Sequence, residues 1–206
     1  MKPPIQPTAE VLEITLTMPE TAVARFVPIL GEGIFLRGPS GQTVEDFLAK
    51  SAGVSPAYLR ERVQTVFLDG RALDDFGTAR VMDGATLALS AAMPGLAGAV
   101  LRRGGRYAPM RRQISHEARY SQAAPGEIFV VLKLFNMIAC ELGPEFLRQG
   151  ILVPGARLQN FWERQGRWAW EGCRAAEADG QPVNAARVVE LVARRQWVRL
   201  AVRPSA

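Results

Sequence analysis

Leu101-Arg102-Arg103-Gly104-Gly105-Arg106, followed by Tyr107, combines residue types whose order suggests a chemical use. Two uses compete for it. As a hinge, the glycines bend freely and the arginines keep the segment hydrated. As a tail, the carboxylate of Gly105 is the reactive group, and it exists only after the Gly105–Arg106 bond is cut. A third use takes Arg102, Arg103, Arg106, Arg111 and Arg112, with Tyr107 among them, as a grip on phosphates and bases. The basic segment is short and flanked by turn residues, and no recognised nucleic-acid fold accompanies it, so a nucleic-acid partner is disfavoured.

The rest of the chain offers little other chemistry. Among 206 residues there are two cysteines and one histidine. Cys140, in NMIACEL, reads as a buried thiol, and His116 falls in a polar linker. Cys173 lacks an evident base. These residues make neither a disulfide framework nor a zinc site, and they are poor material for cysteine–histidine or serine–histidine catalysis. No pair of carboxylates or phosphate loop rises above chance, so the expectation is a protein that is not an enzyme and has no metal or cofactor. The net charge of +5 is uneven: residues 93–125 hold six arginines against one glutamate, which suits an anionic partner surface. No apolar run reaches the roughly 18–20 residues of a membrane span, and MKPPIQPTAE has no apolar signal region. A cytoplasmic protein is expected, with residues 1–9 a disordered proline-rich arm.

The elements that must position the glycine segment lie upstream of it. VLEITLTM (Val11–Met18) alternates apolar and polar residues and reads as a strand, with Gly33–Gly38 its returning hairpin partner. Thr43, with an acid three residues on, starts a helix whose Val44, Phe47 and Leu48 form one apolar stripe and which stops near Gly53. Val63–Leu68 reads as a strand, Asp69-Gly70 as a hairpin turn, and Asp83-Gly84 as the lead into a strand at Thr86–Ser90. A mixed sheet on one helix is the economical arrangement.

VFLDGRALDDFGTARVMDGATLALSAAMPG resembles the second half of a β-grasp, ubiquitin-like domain, and is particularly similar to the sulfur carriers of molybdopterin and thiamine synthesis. The likeness covers about residues 10–105. Leu101-Arg102-Arg103-Gly104-Gly105 is similar to the end of ubiquitin, although ten residues separate it from the last strand and the chain continues past Gly105. The resemblance implies a modifier precursor, cut after Gly105 by a processing peptidase. An activating enzyme would then adenylate the carboxylate for conjugation to protein targets or for sulfur carriage. Gly104 gives it a slim approach, Leu101, Arg102 and Arg103 dock on the enzyme, and Arg106 is the residue removed. The alternative is a non-conjugated β-grasp interaction or adaptor protein whose Gly-Gly segment is a structural hinge.

The second half carries no resemblance. Ile128–Leu142 is a continuous apolar stretch that reads as a buried helix broken at Gly143-Pro144, and Trp162, Trp168 and Trp170 read as core. NAARVVELVARRQ reads as an amphipathic helix with Val188, Leu191 and Val192 inward, and WVRLAV as a closing strand. The expected fold is thus α+β. Residues 10–92 form a β-grasp domain, 93–125 a Gly/Arg-rich tail or linker, and 126–206 a mostly α-helical domain. That last domain masks the tail, binds a partner or serves oligomerisation.

Overall fold

The computed structural model describes residues 10–93, 95–107 and 126–205. The arm at 1–9, His116, Arg111 and Arg112 lie outside the described residues. Along the chain come β1 (Val11–Met18), α1 (Glu20–Val23), α2 (Pro28–Glu32), β2 (Ile34–Pro39), α3 (Val44–Ser51) and α4 (Pro56–Glu61). Then follow β3 (Thr65–Leu68), β4 (Arg71–Leu73), β5 (Thr86–Ser90), α5 (Gly95–Leu101), β6 (Glu127–Phe135) and α6 (Asn136–Gln149). The last elements are β7 (Ile151–Pro154), α7 (Gly155–Gln165), β8 (Ala175–Ala178), β9 (Gln181–Val183), α8 (Ala185–Ala193) and β10 (Trp197–Pro204). Two compact units divide this material: Phe35–Ile138 makes up the first, and Gln6–Ile34 with Ala139–Ala206 the second.

In the first unit the strand order is β4-β3-β5-β6-β2. β3 runs antiparallel to β4 and to β5, while β5 and β6 are parallel, with Leu87 beside Leu132. The Ser40 amide donates to the Gly126 carbonyl at 2.8 Å, which sets the end of β2 beside the start of β6 and makes that pair antiparallel. Val66, Leu68, Leu87, Leu89, Val130, Leu132 and Leu134 are buried, one alternating set per strand. α3 lies against β2, because a Cβ on Gly38 would come within 2.8 Å of the Phe47 ring.

The helix itself starts where a hydroxyl stands in for the missing turn. Thr43 Oγ1 accepts the Asp46 amide at 3.1 Å and donates to the Asp46 carboxylate at 3.0 Å. That second bond, with Lys50 nearby, holds the Asp46 carboxyl below its usual pKa. Thr43→Ala is expected to lower stability by about 1 kcal/mol, read as a shifted urea midpoint.

In the second unit the order is β7-β10-β1-β8-β9. β1 and β10 are parallel, with Ile14 beside Leu200; β1 is antiparallel to β8, β10 to β7, and β8 to β9. Both units therefore hold a central parallel pair, flanked by one antiparallel strand on one side and an antiparallel hairpin on the other. The hairpin turns match in detail. Asp69 and Gly70 have φ of 51° and 77°, Asp179 and Gly180 have 49° and 75°. In each, the aspartate carboxylate accepts the amide of one residue on the neighbouring strand, and the aspartate amide donates to that same residue's carbonyl. Those residues are Thr86 at 2.8 and 2.9 Å, and Glu13 at 2.9 and 2.8 Å. Phe26 and Phe161, both fully buried, meet at 5.6 Å between ring centroids in the second unit's core.

This architecture corrects the expected fold class and the ubiquitin-like resemblance. An N-terminal β-grasp followed by a mostly helical domain does not form; strands are spread along the whole described chain, and five of them fall after residue 126. β1 does not pair back with Gly33–Gly38. Its partners are β10 and β8, from the far end of the sequence. The stretch read as a helix at 128–142 is β6 followed by α6. Ile128, Val130, Leu132 and Leu134 are buried in strict alternation, which an apolar run on both faces conceals from a periodicity argument. Gly143-Pro144 does not break α6. Gly143 lets α6 pack closely, since a Cβ would come within 2.8 Å of a terminal methyl of Leu30. Cys140 is exposed, not buried, and of the three tryptophans Trp162 is core while Trp168 is 47% exposed.

Candidate functional site

The Arg-Gly-Gly segment sits in the first unit, against α4, β3 and the loop after β4. That loop is built by Asp75, whose carboxylate accepts the Gly77 amide at 2.9 Å and the Thr78 hydroxyl at 3.0 Å. It docks on the first turn of α3, where the Glu45 amide donates to the Phe76 carbonyl at 2.9 Å and the Val44 amide to the Ala79 carbonyl at 2.8 Å. Glu45 in turn pairs with Arg60 of α4 at 3.0 Å. The result is a cleft of about 370 Å3, walled by Glu45, Arg60, Asp74, Asp75 and Gly77 with Phe76 beside them.

Arg103 forms the remaining wall of this cleft. Its guanidinium carbon lies 4.3 Å from the Phe76 ring centroid, a cation–π arrangement, and Nη2 donates to the Arg60 carbonyl at 3.1 Å. The backbone is tied down as well: the Arg103 amide donates to the Gln64 carbonyl at 2.8 Å, and the Gly104 amide to Asp74 Oδ1 at 3.1 Å. The Gly105 amide closes a turn onto the Arg102 carbonyl at 3.2 Å. Gly104 has φ of 59°, the left-handed region that an L side chain adopts at a cost, so a glycine is favoured there. Burial pushes the Arg103 pKa down, while Asp74 and Glu45 work the other way. A guanidinium keeps its proton throughout the working range, so the clasp is charged at any ordinary pH.

Of the six residues singled out in the sequence, Arg103 and Gly104 thus come together in one contact, and Gly105 ends the turn that carries them. Leu101 is half-buried at the end of α5, Arg102 is exposed, and Arg106 and Tyr107 are exposed beyond the turn. The docking surface that the resemblance implies for Arg102 and Arg103 on an activating enzyme is, for Arg103, the chain's own Phe76 ring and Arg60 carbonyl. Asp74, Phe76, Glu45 and Arg60 are the residues sequence reasoning missed. Asp74-Asp75-Phe76-Gly77-Thr78 carries a local signal, an aspartate two residues before a glycine, but nothing local says that Phe76 faces an arginine.

The two thiols do not extend the site. Burial raises the Cys173 pKa, and its Sγ donates to the Ala175 carbonyl at 3.4 Å. That favours the unreactive thiol form. Among the described residues no three histidines, cysteines or carboxylates are grouped to hold a metal ion, and no helix is long and apolar enough to cross a membrane.

No protein-family model, curated protein or solved structure matches the chain. The ubiquitin-like likeness therefore rests on no relative, and the arrangement of strands contradicts it.

Proposed function

We propose that the protein is a non-catalytic interaction protein in which Leu101–Gly105 is a structural hinge latched to its own unit rather than a tail kept ready for processing. The observation that carries this reading is the Arg103–Gly104 clasp. A segment meant for a peptidase and an activating enzyme gains nothing from three backbone hydrogen bonds and a guanidinium held over Phe76. Those contacts must be broken before an extended chain can enter a protease cleft. Its partners are proteins, with Leu96 on α5 (71% exposed) and Met137 (54% exposed) among the apolar side chains available to them. Both cysteines are free, which fits a reducing, cytoplasmic setting.

Arg103→Ala tests the latch. It removes the cation–π contact and the bond to the Arg60 carbonyl, and the expected loss is about 1–2 kcal/mol. Limited trypsin digestion followed by mass spectrometry should find the bonds after Arg102 and Arg106 protected in the native chain and cut several-fold faster in the variant. Equal cutting rates would remove the clasp. The intact mass of the protein from its own host separates hinge from tail: a full-length chain supports the hinge, and a species ending at Gly105 overturns it.

A further inference from the structure

Beside the clasp, on the other side of Arg102, the first unit contains a second cleft of about 170 Å3, lined by Gln64, Thr65, Met93, Gly98, Ala99 and Arg102 among others. Part of its lining, Gln64 and Thr65, is polar where an apolar side chain would be more stable. Thr65 and Ser90, at 1% and 4% exposure, are the buried polar residues among those described, and they face each other across β3 and β5. Ser90 Oγ accepts from the Asn136 side-chain Nδ2 at 2.9 Å. Thr65 Oγ1 has no hydrogen-bond partner, and neither has its neighbour Gln64 Oε1, though both are shielded from water. Gln64 does bond through its backbone, the amide to the Ser90 carbonyl at 3.0 Å and the carbonyl to Arg103. Two adjacent unpaired oxygens weaken the fold relative to a valine or leucine of similar shape. Native sequences that break such a rule commonly do so at a site.

The walls of the cleft are tightly built. A Cβ on Gly98 would stand 1.8 Å from the Met93 carbonyl oxygen, so α5 rests directly on the backbone that leads into it. Arg102, also in the lining, is exposed and has no ion-pair partner among the described residues. The same lining therefore brings two unpaired acceptors and a guanidinium to one cleft. The volume lies below the roughly 300–1,000 Å3 of sites for drug-sized ligands, so the occupant is small.

We propose that this cleft binds a free amino acid. The carboxylate sits on the Arg102 guanidinium, a forked donor that matches it. The ammonium, with three N–H donors and no acceptor, turns toward Thr65 Oγ1 and Gln64 Oε1. The Gln64 terminal amide turns about a soft, roughly two-fold torsion, which lets its oxygen swing into the cleft.

The test uses the full-length chain and the twenty standard L-amino acids, each at millimolar concentration, in thermal unfolding and then calorimetric titration. At least one is expected to raise the unfolding midpoint. Thr65→Val, which removes an unpaired hydroxyl at nearly constant volume, should raise the midpoint of the free protein yet weaken binding about tenfold or more. Arg102→Gln should weaken binding to a similar degree and leave the free midpoint where it was. The proposal is overturned if no amino acid shifts the midpoint, or if both variants bind as the native chain does. A fall in the free midpoint of Thr65→Val would also overturn it, because the hydroxyl would then be serving the fold.

Discussion

Phe47→Ala is expected to cost the fold about 3–5 kcal/mol, the range for truncating a fully buried aromatic ring, and also to open the Arg103 clasp. Phe47 has no exposed surface, and its ring lies where a side chain at Gly38 would stand, so it fills the space between α3 and β2. Removing it leaves a cavity that the neighbours close only in part. The functional consequence runs through two short links. α3 carries Glu45, whose amide holds the Phe76 carbonyl and whose carboxylate holds Arg60. Phe76 and Arg60 are the groups that Arg103 rests on. A loosened α3 should therefore lower the urea midpoint and speed trypsin cleavage after Arg102 and Arg106 together. A lowered midpoint with unchanged cleavage would mean that the clasp does not depend on α3; an unchanged midpoint would remove Phe47 from the core.

Phe47 was legible because a helix stripe is local: Val44, Phe47 and Leu48 fall at helical spacing behind a capping threonine, and all three are buried. The Asp69-Gly70 turn was legible for the same reason, since its positive φ values select those residue types. An equivalent signal, Asp179-Gly180, lies in AAEADGQPV, whose flanks hold one β-branched residue and no aromatic one, so β8 and β9 leave little mark in the sequence. β6 shows a different limit. It pairs in parallel with β5, its lining is apolar on both faces, and such a strand looks like a buried helix to any count of apolar residues. Pairing is harder still. Nothing within Val11–Met18 says that its partners are Trp197–Pro204 and Ala175–Ala178, because that choice belongs to side chains brought together by the whole fold. The site divides the same way. Arg102, Arg103, Gly104 and Gly105 stand out by composition, whereas Asp74, Phe76, Glu45 and Arg60 come from three separate elements and acquire their role only when those elements meet.

Gly155→Ala probes the second unit where Pro154-Gly155 marks a break but no local pattern shows a close backbone approach, and it is expected to cost about 3 kcal/mol. Gly155 opens α7 just after β7, and its amide donates to the Gln196 carbonyl at 3.0 Å. A Cβ there would stand 2.0 Å from the Arg195 carbonyl oxygen and 2.8 Å from that of Val192. Both obstacles are backbone at the end of α8, where the Arg194 and Arg195 amides still bond the carbonyls of Leu191 and Val192. Neither can swing aside as a long side chain would. The methyl must either push α7 off α8 or unwind the last turn of α8. Each route disturbs the start of β10, where Trp197 lies beside Pro154. Gly180→Ala serves as the comparison, because Gly180 has φ of 75° and open space around a Cβ, so its cost is conformational, about 1–2 kcal/mol. Thermal unfolding should therefore rank Gly155→Ala well below Gly180→Ala, and hydrogen exchange should speed at residues 196–200 in the first variant alone. Equal midpoints for the two would mean that α7 and α8 do not approach backbone to backbone.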